Sequence, residues 1–229
     1  MNLALVTSYI IAAMLMLSIV MMNLRMSSSS SELTLTQITR QHVSDVADML
    51  NDDIPNMGFN CNEPTSENGD LGGMILTQAE TEKIQFYRKL DASECDDESI
   101  ESHYPQLITW ELLEEDPDFT PENDSHRTLL RIEQDTDENG EIVAGSERVT
   151  KIRTGVTRFT LRYFDEYGKS TDPDDNEHLT FPVSLSSVKQ IYLELEMQSA
   201  AQIHTRANSG GRYIRSVYEK RFSPRNLDL

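Results

Sequence analysis

From Leu3 to Leu24 the chain runs LALVTSYIIAAMLMLSIVMMNL, apolar throughout except for single Thr, Tyr and Asn residues and two Ser, and without a charge. In helical form about 22 residues cross the ~30 Å hydrocarbon core of a bilayer. The basic head, shorter apolar core and small-x-small site of a cleaved secretory signal are missing, which favours a retained anchor over residues 1–25. The only nearby positive charge, Arg25, draws its flank weakly toward the cytoplasm, and the acids downstream contribute little to that rule, so charge leaves the orientation open. A serine run, Ser27–Ser31, follows, and then Leu35, Ile38, His42, Val46, Met49, Leu50 and Ile54 recur at spacings of three and four. That spacing predicts an amphipathic helix over 26–55, stopped by Pro55 and Gly58. If the serines stay helical, anchor and stripe form one rod of roughly 50 residues and ~75 Å, and if they do not, two helices joined by a linker.

The period then changes. Residues 56–82 are rich in turn formers, and two-residue alternation predicts strands at Lys83–Leu90, Leu107–Leu113, Thr128–Gln134, Gly155–Phe164, Val188–Met197 and Arg212–Phe222. Ile191, Leu193, Leu195 and Met197 take one face of their strand, and Phe159, Leu161 and Tyr163 one face of theirs. Side by side these two strands would pair arginines with glutamates on the wet face. The expected fold class is α+β, with a long N-terminal transmembrane and amphipathic helix packed on a mainly antiparallel sheet, and residues 56–229 forming one soluble β-rich domain.

Charge narrows the partners. The 229 residues carry a formal net charge of -19, which argues against nucleic acid and against general affinity for anionic lipid. Between Asp91 and His126 acids recur with neither Lys nor Arg, whereas Arg206, Arg212, Arg215, Lys220, Arg221 and Arg225 dominate the end of the chain. Those two segments could meet across subunits or within one.

Candidate chemistry is sparse. Asp135, Asp137 and Asn139, followed by Gly140, match the opening of an EF-hand calcium loop, but Ser146 stands where a bidentate Glu is required. A hairpin turn at Asn139-Gly140 is the better reading, and the oxygen-rich stretch Asp165–His178 reads as a solvated loop that calcium could occupy more loosely. His42, His103, His126, His178 and His204 are scattered without zinc-binding spacing, and there is neither a Gly-x-Ser-x-Gly elbow nor a phosphate loop. No catalytic residue and no cofactor other than that calcium is expected, so the chain reads as a non-enzyme. Cys61 and Cys95 are the only cysteines. In an exported domain they would form one disulfide, worth about 2–4 kcal/mol, and in the cytosol they would be reduced.

The order of elements resembles a known family. An uncharged membrane-spanning helix runs into an amphipathic helix ending ADMLNDDIPNMGFN, and then come RTLLRIEQ, GVTRFTLRYFDEYG, VKQIYLELEM and a closing RFSPRNLDL. This is similar to the minor pilins and pseudopilins of type IV pili and type II secretion, in particular PilW-like and GspJ-like members. The resemblance implies a lollipop-shaped subunit on the inner membrane, its sheet domain outside the cytoplasm. It would pack its helix with other pilin-like subunits and with membrane lipid, in a secretion complex or a surface filament used for adhesion. Members of that family begin with a basic leader, a Gly-Phe junction and a glutamate inside the apolar run, none of which occurs from Asn2 to Asn23. That departure implies a place at a filament tip, an unpolymerised membrane component, or a leader preceding Met1. The residues taken to pack the spine are Leu35, Ile38, Val46, Leu50 and Ile54. The competing expectation is a single-pass protein whose extracytoplasmic domain binds a ligand or partner.

Overall fold

A computed structural model describes residues 3–58, 75–88, 105–137, 141–172, 174, 179–181, 183–203, 211–224 and 227. Helix α1 runs without interruption over Leu3–Asp53, 51 residues. The serine run is helical, so of the two alternatives the single rod is found, about 76 Å long at 1.5 Å per residue. Hydroxyls in and just after the run bond back to carbonyls one turn earlier. Ser31 Oγ donates to Ser27 O (3.0 Å), Thr34 Oγ1 to Ser30 O (3.0 Å), Thr36 Oγ1 to Glu32 O (2.7 Å) and Thr39 Oγ1 to Leu35 O (2.8 Å).

Among the described residues eight strands follow: β1 Leu76–Ala79, β2 Lys83–Arg88, β3 Gln106–Leu113, β4 Thr128–Asp135, β5 Arg148–Ile152, β6 Val156–Phe164, β7 Gln190–Gln198 and β8 Arg215–Phe222. They form two antiparallel meanders rather than the one sheet expected, β1–β5 and β6–β8. Each of the six predicted strands has a counterpart, displaced by a few residues at its ends. Strands β1 and β5 were not predicted: β1 is four residues long, and the first four residues of β5 are exposed, so neither carries an alternating apolar signal.

The two sheets meet around one core. On β6 and β7, Phe159, Leu161, Tyr163, Ile191, Leu193, Leu195 and Met197 are buried together with Ile84, Phe86, Ile108 and Trp110 of the larger sheet. The Trp110 and Phe159 rings stack at 6.4 Å, and the Tyr163 hydroxyl donates to Glu80 O at 2.9 Å, linking β6 to the β1–β2 turn. On the opposite face of the smaller sheet, Arg158 meets Glu194 at 3.2 Å and Arg162 meets Asp172 at 2.8 Å.

Two glycines make the tight corners. Gly58, at φ +67 just past the helix, lies against Ile75 so closely that a Cβ would stand 2.6 Å from it. Gly155, at φ +83 between β5 and β6, accepts a hydrogen bond from Gln198 N at 2.7 Å and leaves no space for a side chain beside the Gln198 backbone.

Candidate assembly spine and its anchoring network

The spine divides sharply by exposure. Every side chain described from Val6 to Ser31 is exposed, and beyond Ser31 one face is progressively covered. The helix is long and apolar enough to cross a membrane. Of the five residues expected to pack the spine, Val46, Leu50 and Ile54 are buried and Leu35 is half-buried. Ile38 is displaced from the stripe, being 46% exposed. The covered line instead runs through Thr39, Val43, Val46, Ala47, Leu50, Asp53, Ile54 and Met57. Thr39 can take a buried place because its hydroxyl is satisfied by Leu35 O. His42 is half-buried beside that line.

Strand β8 lies along the covered half of the helix and runs in the same direction. Near one end Arg212 pairs with Glu32 at 2.9 Å; at the other the Tyr218 hydroxyl donates to Asn51 Oδ1 at 2.8 Å, and Lys220 Nζ donates to the same oxygen. Nineteen helical steps from Glu32 to Asn51 span about 28 Å, and eight extended steps from Arg212 to Lys220 about 26 Å, so the two segments match in length.

The end of the spine is fixed by a charged centre that the sequence did not disclose. Asp53 stands in the last turn of α1, where the helix dipole disfavours an acid and no basic residue of the helix is present to balance it. Its carboxylate is nonetheless buried, at 1% side-chain exposure. Three donors from three strands enclose it. Arg131 on β4 forks onto both oxygens, Nε to Oδ2 at 2.6 Å and Nη2 to Oδ1 at 2.9 Å. Trp110 Nε1 on β3 donates to Oδ2 at 2.9 Å, and Arg88 Nη1 on β2 donates to Oδ1 while also pairing with Asp52 at 3.0 Å. From Arg131 the charges alternate outward along β4 and β5. Arg131 meets Glu133 at 2.7 Å, and Arg148 meets Glu133 at 2.7 Å and Asp135 at 2.8 Å. Hydrogen bonding to Asp53 raises the Arg131 pKa above its ordinary value, and burial opposes it only in part. Burial alone would raise the Glu133 carboxyl, but the hydrogen bonds from Arg131 and Arg148 outweigh it and hold the pKa below its ordinary value.

That network also places the candidate calcium residues. Asp135 turns its carboxylate to Arg148 and to Gln106 Nε2 (2.9 Å), so guanidinium and amide occupy the oxygens a cation would need. Asp137 Oδ1 accepts the Glu141 amide at 2.9 Å, and Ser146, at the twelfth loop position, accepts the Asp135 amide at 3.0 Å and donates to Val143 O at 2.8 Å. Asn139 lies outside the described residues, as do Cys61 and Cys95. Thr136 and Ile142 form an antiparallel bridge, and the expected turn at Asn139-Gly140 lies outside the described residues. Among the described residues no group of three or more His, Cys, Asp and Glu side chains is arranged to hold a metal ion.

The Asp53 partners escaped the sequence because they lie 35, 57 and 78 residues away from it. The available signal was an acid in the last turn of a helix devoid of basic residues there, which requires positive charge from elsewhere.

No protein-family model matches the chain, and no curated protein matches it.

Proposed function

We propose that the chain is a membrane-anchored subunit of the minor pilin or pseudopilin type, assembling through α1 with other pilin-like helices in a type IV pilus-like or type II secretion-like complex. The observation that carries this reading is the unbroken 51-residue helix, apolar and exposed in its first half and sewn to two antiparallel sheets in its second. A simple tether would need no such continuity. In a rigid rod, by contrast, lateral packing of the anchor fixes where the sheet domain stands. The residues of the site serve position rather than turnover: Asp53, Arg88, Trp110 and Arg131 fix the angle between spine and sheets. From Leu3 to Leu24 the helix offers neighbours no ionised group, so it packs by apolar contact, as suits a subunit that caps or initiates a complex.

The test is site-specific photo-crosslinking in cells from positions along Leu3–Leu24, with the stoichiometry of the recovered complex. Crosslinks to other small single-helix subunits at about one copy per assembly are expected. A long homopolymeric ladder would defeat the capping role, and an anchor that crosslinks only to lipid would favour the tethered binding module.

A further inference from the structure

We propose that the end of the smaller sheet formed by Ala200–Ile203 and Gly211–Ile214 rests on a zwitterionic phospholipid surface, the one from which α1 emerges. This rests on the reading of Leu3–Leu24 as a membrane anchor.

Three observations converge. The first is height. Arg25 is the first charge after the apolar run. At 1.5 Å per residue Ser28 stands about 4.5 Å beyond it and Glu32 about 10 Å, while the headgroup layer is about 5–7 Å deep on each side. Ala201, Gln202 and Ile203 line an open groove of about 580 Å³ with Ser28, Ser30, Ser31, Thr34 and Leu35, which stand about 4.5 to 15 Å beyond Arg25, so the low side of the groove, at Ser28, enters that layer. The parallel course of β8 and α1 points this end of the sheet toward the anchor, whereas the turn at Tyr167, after β6, points the other way.

The second observation is composition. Arg212 is exposed and Tyr213 half-exposed, side chains of the kind found at membrane interfaces, and the exposed Ala200 and Ala201 beside them are small enough to allow close approach. The third is charge balance. Arg25, Arg212 and Arg215 stand at this end, and so do Glu32, which pairs with Arg212, Glu196, which pairs with Arg215 at 2.7 Å, and the exposed Glu122 and Asp124, whose loop touches Gln198 through Asn123 and Ser125. Arginines suit the phosphate and carboxylates the ammonium of a zwitterionic headgroup. With the acids among the described residues at least matching the arginines, anionic lipid gains no advantage, in keeping with the overall charge of -19.

The experiment places a tryptophan at Gln202. Full-length Gln202→Trp protein is reconstituted in phosphatidylcholine vesicles containing a headgroup-nitroxide phospholipid, and emission quenching is compared with wild type and with Tyr167→Trp. The native Trp110 is buried beside Asp53, about 42 Å up the helix from Arg25, and supplies an unquenched reference. Loss of most of the added emission in Gln202→Trp, with none in Tyr167→Trp, is the expected result. Exchanging part of the phosphatidylcholine for phosphatidylglycerol should leave the quenching unchanged or reduce it, and a marked gain would overturn the zwitterionic match. No quenching of Gln202→Trp in protein that floats with the vesicles would overturn the contact while leaving the anchor intact. Quenching of both variants would overturn the end-on placement, and protein that fails to float would remove the anchor and the contact together.

Discussion

Asp53 sits where an acid is least welcome, at the negative end of a helix dipole and out of water, and it is held there by two guanidinium groups and an indole N–H. Removing one side of such a centre leaves uncompensated buried charge. Asp53→Ala should therefore destabilise the protein by about 3–5 kcal/mol, measured by urea unfolding of the detergent-solubilised chain with Trp110 as reporter. Arg148→Gln removes only the outer member of the ladder, 54% exposed, and should cost no more than about 1 kcal/mol. His126 gives the residue scale its pH dependence. Burial lowers the pKa of its imidazole below 6.5, against the opposing pull of the Gln198 and Ser199 backbone and of Glu122, and its Nε2 has no hydrogen-bond partner among the described residues. The unfolded chain thus binds a proton at a pH where the folded chain does not. The stability contributed is full above about pH 6.5 and is lost as pH falls through the folded value. Unfolding midpoints taken from pH 7.5 to 5 should fall, and His126→Gln should flatten that slope.

At the scale of the element, α1 makes two demands on its sequence, an apolar cylinder in its first half and a single stripe in its second. Leu50 is fully buried and Ile38 is 46% exposed, so Leu50→Asp should unfold the soluble part while Ile38→Asp stays within about 0.5 kcal/mol of wild type. Equal effects would mean that the helix is rotated relative to the sheets. Both halves were legible because a helix writes its environment at a fixed period, and Val46, Leu50 and Ile54 keep it. Ile38 misled because an apolar residue one step off the line reads as part of it, whereas Thr39, which belongs to the line, reads as polar until its bond to Leu35 O is seen. The alternation in β6 and β7 was equally plain. The division into two sheets was not, because it depends on which strands remain unpaired, and the Asp53 centre was hidden because its donors come from three different strands of the larger sheet.

For the whole molecule the consequence is rigidity. Contacts from Glu32 to Asn51 tie the smaller sheet along the spine, the Asp53 centre ties the larger sheet to its end, and the anchor continues as the same helix. With α1 as the proposed membrane anchor, its orientation decides on which side the entire domain works. The single arginine after the apolar run gives a weak pull toward the cytoplasm, and the acids that dominate the rest exert almost none, so charge does not oppose export strongly. The proposed assembly role requires the domain outside. A Tyr167→Cys variant tests this directly, since that side chain is 80% exposed at the end of the sheet away from the anchor. Carried in a background with Cys61 and Cys95 replaced by serine, it should react with a membrane-impermeant maleimide in cells whose outer envelope alone has been permeabilised. Labelling that appears only after the inner membrane is disrupted would put the domain in the cytoplasm and end the pilin-like reading, because a cytoplasmic domain could join neither a surface filament nor a secretion pseudopilus.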